Sequence, residues 1–277
     1  MDEIKFVHIS DTHIRSNYGG SEHSAYLKHL TTGGKSPADT LKEALEHIRE
    51  THRSIDFMLV TGDLCHEGGK DDYALLKSIM EEHVSCPIFM TLGNHDAPEP
   101  FRHGYMGIEN SSEVYFYESL IKGYKIAALD TSGGTGGSGA VSLEQLERLK
   151  TALKEPAANG SLLILHHAPT LDIKNGLLSN SLTNPEELYD CIKDSDIRAI
   201  FSGHTHRSSA KMFGTIPHYT ADSTAFGVGF EQGHMLINNR LGYSYCTMNK
   251  TGVYVENHAL PAHVKTIYKT PSKISGY

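Results

Sequence analysis

A disulfide framework is missing from this chain. Its four cysteines, Cys65, Cys86, Cys191 and Cys246, show no C-x-x-C spacing, which leaves free, mostly buried thiols in a reducing compartment as the reading. Positive charge is also scarce: 25 Lys and Arg face 33 Asp and Glu, for a formal charge of -8 and a pI near 6.1. That balance counts against a broad electrostatic grip on nucleic acid, although a local cationic centre such as a metal pair can still bind one phosphate. No apolar window reaches bilayer length, and Met1-Asp2-Glu3-Ile4-Lys5 does not open a signal peptide. A cytoplasmic protein without a membrane partner is expected. Internal repeats, low-complexity tracts and domain linkers are absent, as are a Gly-x-Ser-x-Gly elbow and a Walker loop.

What is present is a regular alternation. With 277 residues, 39% hydrophobic and 21% charged, the chain can bury a substantial core. Strands are expected at Ile4 to Ser10, Phe57 to Thr61 and Pro87 to Leu92, with helices opened by Ser36-Pro37 and by Asp71-Asp72 between them. This pattern implies parallel pairing with helices packed on the sheet. Further strands are expected at Glu113 to Ser119, Tyr124 to Asp130, Ser161 to Leu165 and Ile197 to Ser202, with helices from Ser142 and Asn184-Pro185. From Ser208 the text is nearly all strand and turn, with a hairpin over Asn249 to Gly252 and no clear pattern from Pro261. One domain over 1–277 is expected, with a core of about 4–225 and a strand-rich extension of that domain at 233–277.

Five of the strands end in chemistry: Asp11-Thr12-His13, Gly62-Asp63, Gly93-Asn94-His95-Asp96, His166-His167 and Gly203-His204-Thr205-His206. Of the 18 histidines, six fall in these motifs. In an extended segment residues two apart point to one side, so Asp11 with His13, or His204 with His206, can reach one ion together. Asp63 can bridge two ions with its two oxygens, Asn94 offers a carbonyl oxygen, and His166 and His204 offer nitrogens. Such ligands suit zinc, manganese, iron or cobalt better than calcium or magnesium. His95 is the candidate to donate to a phosphoryl oxygen or protonate a leaving alkoxide, and Asp96 to orient it through its other ring nitrogen. Cys65 is expected to be a small buried thiol, while His66, Arg102, His103 and Tyr105 lie in loops after motifs and read as solvated loop residues, with substrate contact as the alternative. His167 reads either as a packed, hydrogen-bonded imidazole or as a substrate contact.

Together the five motifs resemble the signature of the calcineurin-like metallophosphoesterase superfamily. The resemblance covers residues 4 to about 225, and its pattern is closest to the class III cyclic nucleotide phosphodiesterases and glycerophosphodiesterases. It implies an α/β fold, a four-layer α-β-β-α sandwich of two mixed β-sheets flanked by helices. It also implies two metal ions, divalent or trivalent manganese, iron or zinc. Asp11, His13, Asp63 and His206 would hold one ion; Asp63, Asn94, His166 and His204 would hold the other. The motifs depart from Gly-Asp-x-x-Asp-Arg-Gly of protein phosphatases, and His66 stands where purple acid phosphatases carry a ligating Tyr. The implied activity is hydrolysis of cyclic nucleotides or small phosphodiesters through a metal-bridging hydroxide. A phosphomonoesterase, a nuclease and a non-catalytic partner-binding module stay open. The partner expected is a small phosphate ester; the loop Asn17 to Lys35 and the strands beyond 233 would shape the substrate mouth or the contact of a homodimer.

Overall fold

The computed structural model describes residues 3–18, 35–135, 137–170, 181–260 and 265–270. Most of the Asn17 to Lys35 loop lies outside them. Two large sheets face each other. The first has the order β13-β12-β1-β2-β3, built from Gly252–Leu260 (β13), Leu241–Asn249 (β12), Ile4–Ile9 (β1), Phe57–Thr61 (β2) and Ile88–Thr91 (β3). The second has the order β4-β5-β6-β7-β9-β8, from Tyr117–Ile121 (β4), Tyr124–Ala128 (β5), Ser161–Ile164 (β6), Ile197–Ser202 (β7), Ile216–Thr220 (β9) and Ser209–Phe213 (β8). Both sheets are mixed: β1, β2 and β3 run parallel, as do β5, β6, β7 and β9, while β12, β13, β4 and β8 pair antiparallel.

Alternation along the strands divides the core into layers. Ile4, Phe6, Phe57 and Leu59 pack between the sheets against Ile126, Leu162, Ile164 and Phe201. The other faces bury Val7, Ile9, Met58 and Val60 under α1 (Pro37–Thr51) and α2 (Lys70–His83), and Leu163, Leu165 and Ile200 under α3 (Leu143–Ala152) and α4 (Pro185–Ile192). The α-β-β-α sandwich implied by the family resemblance is therefore the fold. Ser36 caps α1 with a reciprocal capping box to Asp39, and Asn249 pairs Gly252 across the expected hairpin.

Four local expectations are corrected. Helix α2 starts at Lys70, with Gly69 as N-cap; Asp72 sits three residues inside, its carboxylate accepting from the Gly69 amide. β4 begins at Tyr117 and not Glu113, because the Glu113 carbonyl and the Tyr115 amide are taken by Arg102 and Asp130 side chains, outside any ladder. Arg102, His103 and Tyr105 belong to a π-helical turn, Arg102–Met106, and not to a solvated loop. Its Gly104 lies so close to the Lys70 carbonyl that a Cβ there would collide with it. Finally, Gly227–Glu231 (β10), His234–Asn238 (β11) and Thr266–Lys269 (β14) form a small third sheet, although β14 lies in the stretch that carries no sequence pattern.

The fold has one direct functional consequence: the five motifs follow β1, β2, β3, β6 and β7, all parallel members, so their C-terminal ends gather on one rim of the sandwich. Phe57, fully buried and stacked at 4.7 Å on Phe6 of the neighbouring strand, belongs to the apolar layer between the sheets. Phe57→Ala is expected to cost about 3–5 kcal/mol, seen as a lower urea midpoint at unchanged slope.

Candidate metal centre

The motif residues leave their strands through a backbone that most residues avoid. Asp11 (φ 53°), His13 (φ 45°), Asp63 (φ 47°), His204 (φ 68°) and His206 (φ 51°) all adopt left-handed conformations. Each such position is strained for a residue with a Cβ. The extended geometry expected for Asp11 with His13, and for His204 with His206, is thus replaced by tight turns. His204 and His206 consequently fall into separate clusters. Hydrogen bonds between motifs hold the turns: the Asp11 amide donates to Gly62 O at 3.0 Å and the His13 amide to Asp63 O at 2.9 Å. The His204 amide donates to Asp11 Oδ2 at 3.0 Å, and the His95 amide to Asp63 Oδ1 at 2.9 Å. Gly62 (φ 85°) also keeps the backbone against His166, where a Cβ would stand 2.6 Å from Nδ1.

Three clusters of ligand atoms result among the described residues, one of them His13, His66 and His95. Asp11, His13, Asp63 and His206 present theirs within 4.8 Å of one another, all buried. His206 Nε2 lies 3.2 Å from Asp11 Oδ1, and His13 Nε2 lies 3.2 Å from His206 Nε2 and 3.7 Å from Asp63 Oδ2. His166, His167 and His204 form another. Asp63 stands between these last two, its Oδ2 being 3.3 Å from His166 Nε2. Two imidazoles are anchored from behind, leaving Nε2 forward: His166 Nδ1–H donates to Thr61 O and His206 Nδ1–H to Phe226 O, each at 2.7 Å.

Whether these residues fit metal ions is tested by the atoms they leave unsatisfied. Asp11 Oδ1, Asn94 Oδ1 and His166 Nε2 are buried without a well-aligned hydrogen bond; Asp11 Oδ1 is near His206, and His166 Nε2 near Asp63, but each pair is misaligned for one. Buried acceptors are rarely left so, and these three are a carboxylate oxygen, an amide oxygen and an imidazole nitrogen. The donor set fits a pair of transition-metal ions.

The buried groups also shift one another's protonation. Burial opposes charge on Asp63, but the His166 and His95 imidazoles outweigh it and hold the carboxylate ionised well below the usual range. Burial likewise would lower His166, yet Asp63 raises it to about 9. Burial, then neighbouring imidazoles, push His204 down to about 4 and His167 well below its ordinary value.

His167 is a packed imidazole and uses both nitrogens: Thr131 Oγ1 donates to Nδ1 at 2.7 Å and Nε2–H donates to Gly137 O at 3.2 Å. Cys65 is a buried thiol pushed upward by burial. Asp96, in contrast, does not orient His95. Its oxygens accept from the amides of Leu64, Cys65 and Gly93 and from the Tyr73 hydroxyl, at 2.8–3.0 Å. The carboxylate is filled by this anchoring of one motif turn to another, while His95 Nδ1 faces Glu67 Oε1 at 4.0 Å. His66 is the other correction: it is fully buried, stacked on His95 at 4.1 Å, with its Nδ1 2.8 Å from His13 Nδ1. Its position three residues after Asp63 was the available signal; its burial depends on neighbours far along the chain.

A sandwich whose parallel strand ends gather carboxylates and imidazoles around unsatisfied acceptors is a metallophosphoesterase. Residues 4–208 match the family model described as "Calcineurin-like phosphoesterase", and the chain belongs to that family. A "Probable cyclic nucleotide phosphodiesterase" of Rhodococcus erythropolis is 31% identical over 223 residues, 79% of this chain and 70% of that one. The "cAMP/cGMP dual specificity phosphodiesterase" of Mycobacterium tuberculosis is 29% identical over 223 residues, covering 79% and 67%. The fold is also that of a purple acid phosphatase from yellow lupin, with TM-score 0.59 at 14% identity over 92% of this chain and 51% of that one. Among the described residues no helix is long and apolar enough to cross a membrane.

Asp96→Asn separates anchoring from steering. It sets an amide NH2 against backbone donors and is expected to cost about 1–3 kcal/mol, read as a lower thermal midpoint. An unchanged midpoint with reduced turnover would restore a purely steering role.

Proposed function

We propose that the protein hydrolyses phosphodiesters, cyclic nucleotides foremost, at a pair of manganese, iron or zinc ions. The reading assigns Asp11, His13, Asp63 and His206 to one ion and Asp63, Asn94, His166 and His204 to the other. The observation that carries it is the placing of Asp63 between two clusters that include buried acceptors without a well-aligned hydrogen bond. Bound there, such ions supply a water nucleophile at neutral pH and positive charge for the phosphoryl oxygens.

The chain's own groups do the rest. Asp11 and Asp63 do not cancel two divalent charges, so the centre attracts an anionic ester. Asn94, His95 and His204 are the half-buried members of the group, and His95, with 22% of its side chain exposed, is the imidazole assigned to substrate. Its amide is tied to Asp63 Oδ1, which fixes the proton donor relative to the Asp63 carboxylate. It donates to the oxygen that leaves phosphorus. The names of the relatives from Rhodococcus and Mycobacterium support a diester substrate.

Reconstituted with manganese, the protein is expected to cleave bis(p-nitrophenyl) phosphate and 3′,5′-cyclic AMP faster than p-nitrophenyl phosphate. Asp63→Asn should abolish turnover and metal uptake together, and His95→Ala should lower kcat by about 10²–10⁴-fold with the metals retained. Faster monoester cleavage would reassign the substrate class. No cleavage of any ester by metal-loaded protein would end the hydrolytic reading.

A further inference from the structure

His66 enters the centre without being one of its assigned ligands. It lies at the bottom of the site, fully buried, in a turn pinned from several sides. Its amide donates to Ile14 O at 3.3 Å, its carbonyl accepts from Arg15 Nη1 at 3.0 Å, and the preceding Cys65 bridges to Ile14. The ring is packed nearly face to face on His95, with centroids 4.1 Å apart and planes 21° apart. Packing of this kind fixes which ring edge points where. The edge bearing Nδ1 points at His13, whose own Nδ1 is 2.8 Å away.

Two imidazole nitrogens at that distance share one proton, one donating and the other accepting. His13 turns its other nitrogen, Nε2, toward Asp63 Oδ2 at 3.7 Å and His206 Nε2 at 3.2 Å. A nitrogen that ligates metal must carry no proton, so His13 can serve only with its proton on Nδ1. We infer that His66 is a positioning residue: its Nδ1 accepts the Nδ1 proton of His13 and thereby holds His13 in the tautomer that presents a bare Nε2 to the ion. Carboxylates or carbonyls commonly do this for metal-bound histidines; His166 and His206 use the Thr61 and Phe226 carbonyls, and His13 uses a second imidazole. The inference rests on the metal reading of the cluster.

Two substitutions divide the ring from its nitrogen. His66→Asn keeps an acceptor at the Nδ1 position and removes the ring; His66→Phe keeps the flat ring and removes the acceptor. Zinc affinity, measured by competition with a chromophoric chelator, should fall about 10–100-fold at one of the two sites in His66→Phe. It should stay within about threefold of the unaltered protein in His66→Asn. Equal losses in both variants, or none in His66→Phe, would overturn the inference. Nitrogen NMR of the zinc-loaded, unaltered protein gives a readout independent of any variant: His66 should show an unprotonated Nδ1 and His13 a protonated one, and the reverse would overturn it. Failure of the unaltered protein to bind zinc would instead remove the metal reading and this inference with it.

Discussion

Asp11 and Asp63 are carboxylates buried at 0% and 2% exposure, and a buried negative charge survives only where donors or positive charge surround it. Much of the rim can be understood as meeting that demand. Three imidazoles stand within ion-pair distance of the two carboxylates, His13 and His166 on Asp63 and His206 on Asp11. The backbone contributes the His204 and His95 amides. The arrangement still leaves acceptors such as Asp11 Oδ1 and Asn94 Oδ1 unsatisfied, a condition that metal ions would relieve.

The same demand accounts for the strained turns. To aim amides and side chains into one small volume, five motif residues adopt left-handed backbone, at roughly 1–3 kcal/mol each. Such a cost persists only where surrounding structure over-determines the conformation. Here the turns are over-determined in pairs: Asp11 and His13 bond to the Gly62-Asp63 turn, Asp96 ties the Gly93 turn to Leu64 and Cys65, and Ser223 donates to the Asp11 carbonyl. No motif loop is held by its own residues alone. This makes the centre rigid, and rigidity suits a site whose ligands must keep fixed mutual distances.

The strand–helix alternation and the motifs at strand ends were legible in the sequence because both follow from short-range patterns, whereas the layered sandwich was implied by the family resemblance. Ile4 to Ser10 alternates between two cores, and Gly62-Asp63 or Gly203-His204 marks a strand end whatever lies beyond it. Asp96 was misread because its partners, Leu64, Cys65 and Tyr73, come from other segments, and adjacency to His95 suggested a contact that the carboxylate does not make. His66 was misread for a similar reason: a polar residue in a turn looks solvated until His13 and His95 are placed around it. The third sheet was invisible since β14 is only four residues long and its register depends on β11.

β1 lies between β2 and β12 and carries the first motif, with Ile4 opposite Met248 across the sheet. One side of it is covered soon after synthesis by a strand some fifty residues on, but the other waits for a strand about 240 residues away. One hydrogen-bonding edge of β1 therefore stays without its partner strand until about 240 further residues have been made. Distant pairing of this kind slows folding and leaves a sticky edge in the interval. The first motif thus sits on a strand whose sheet is completed only by the segment that carries Met248.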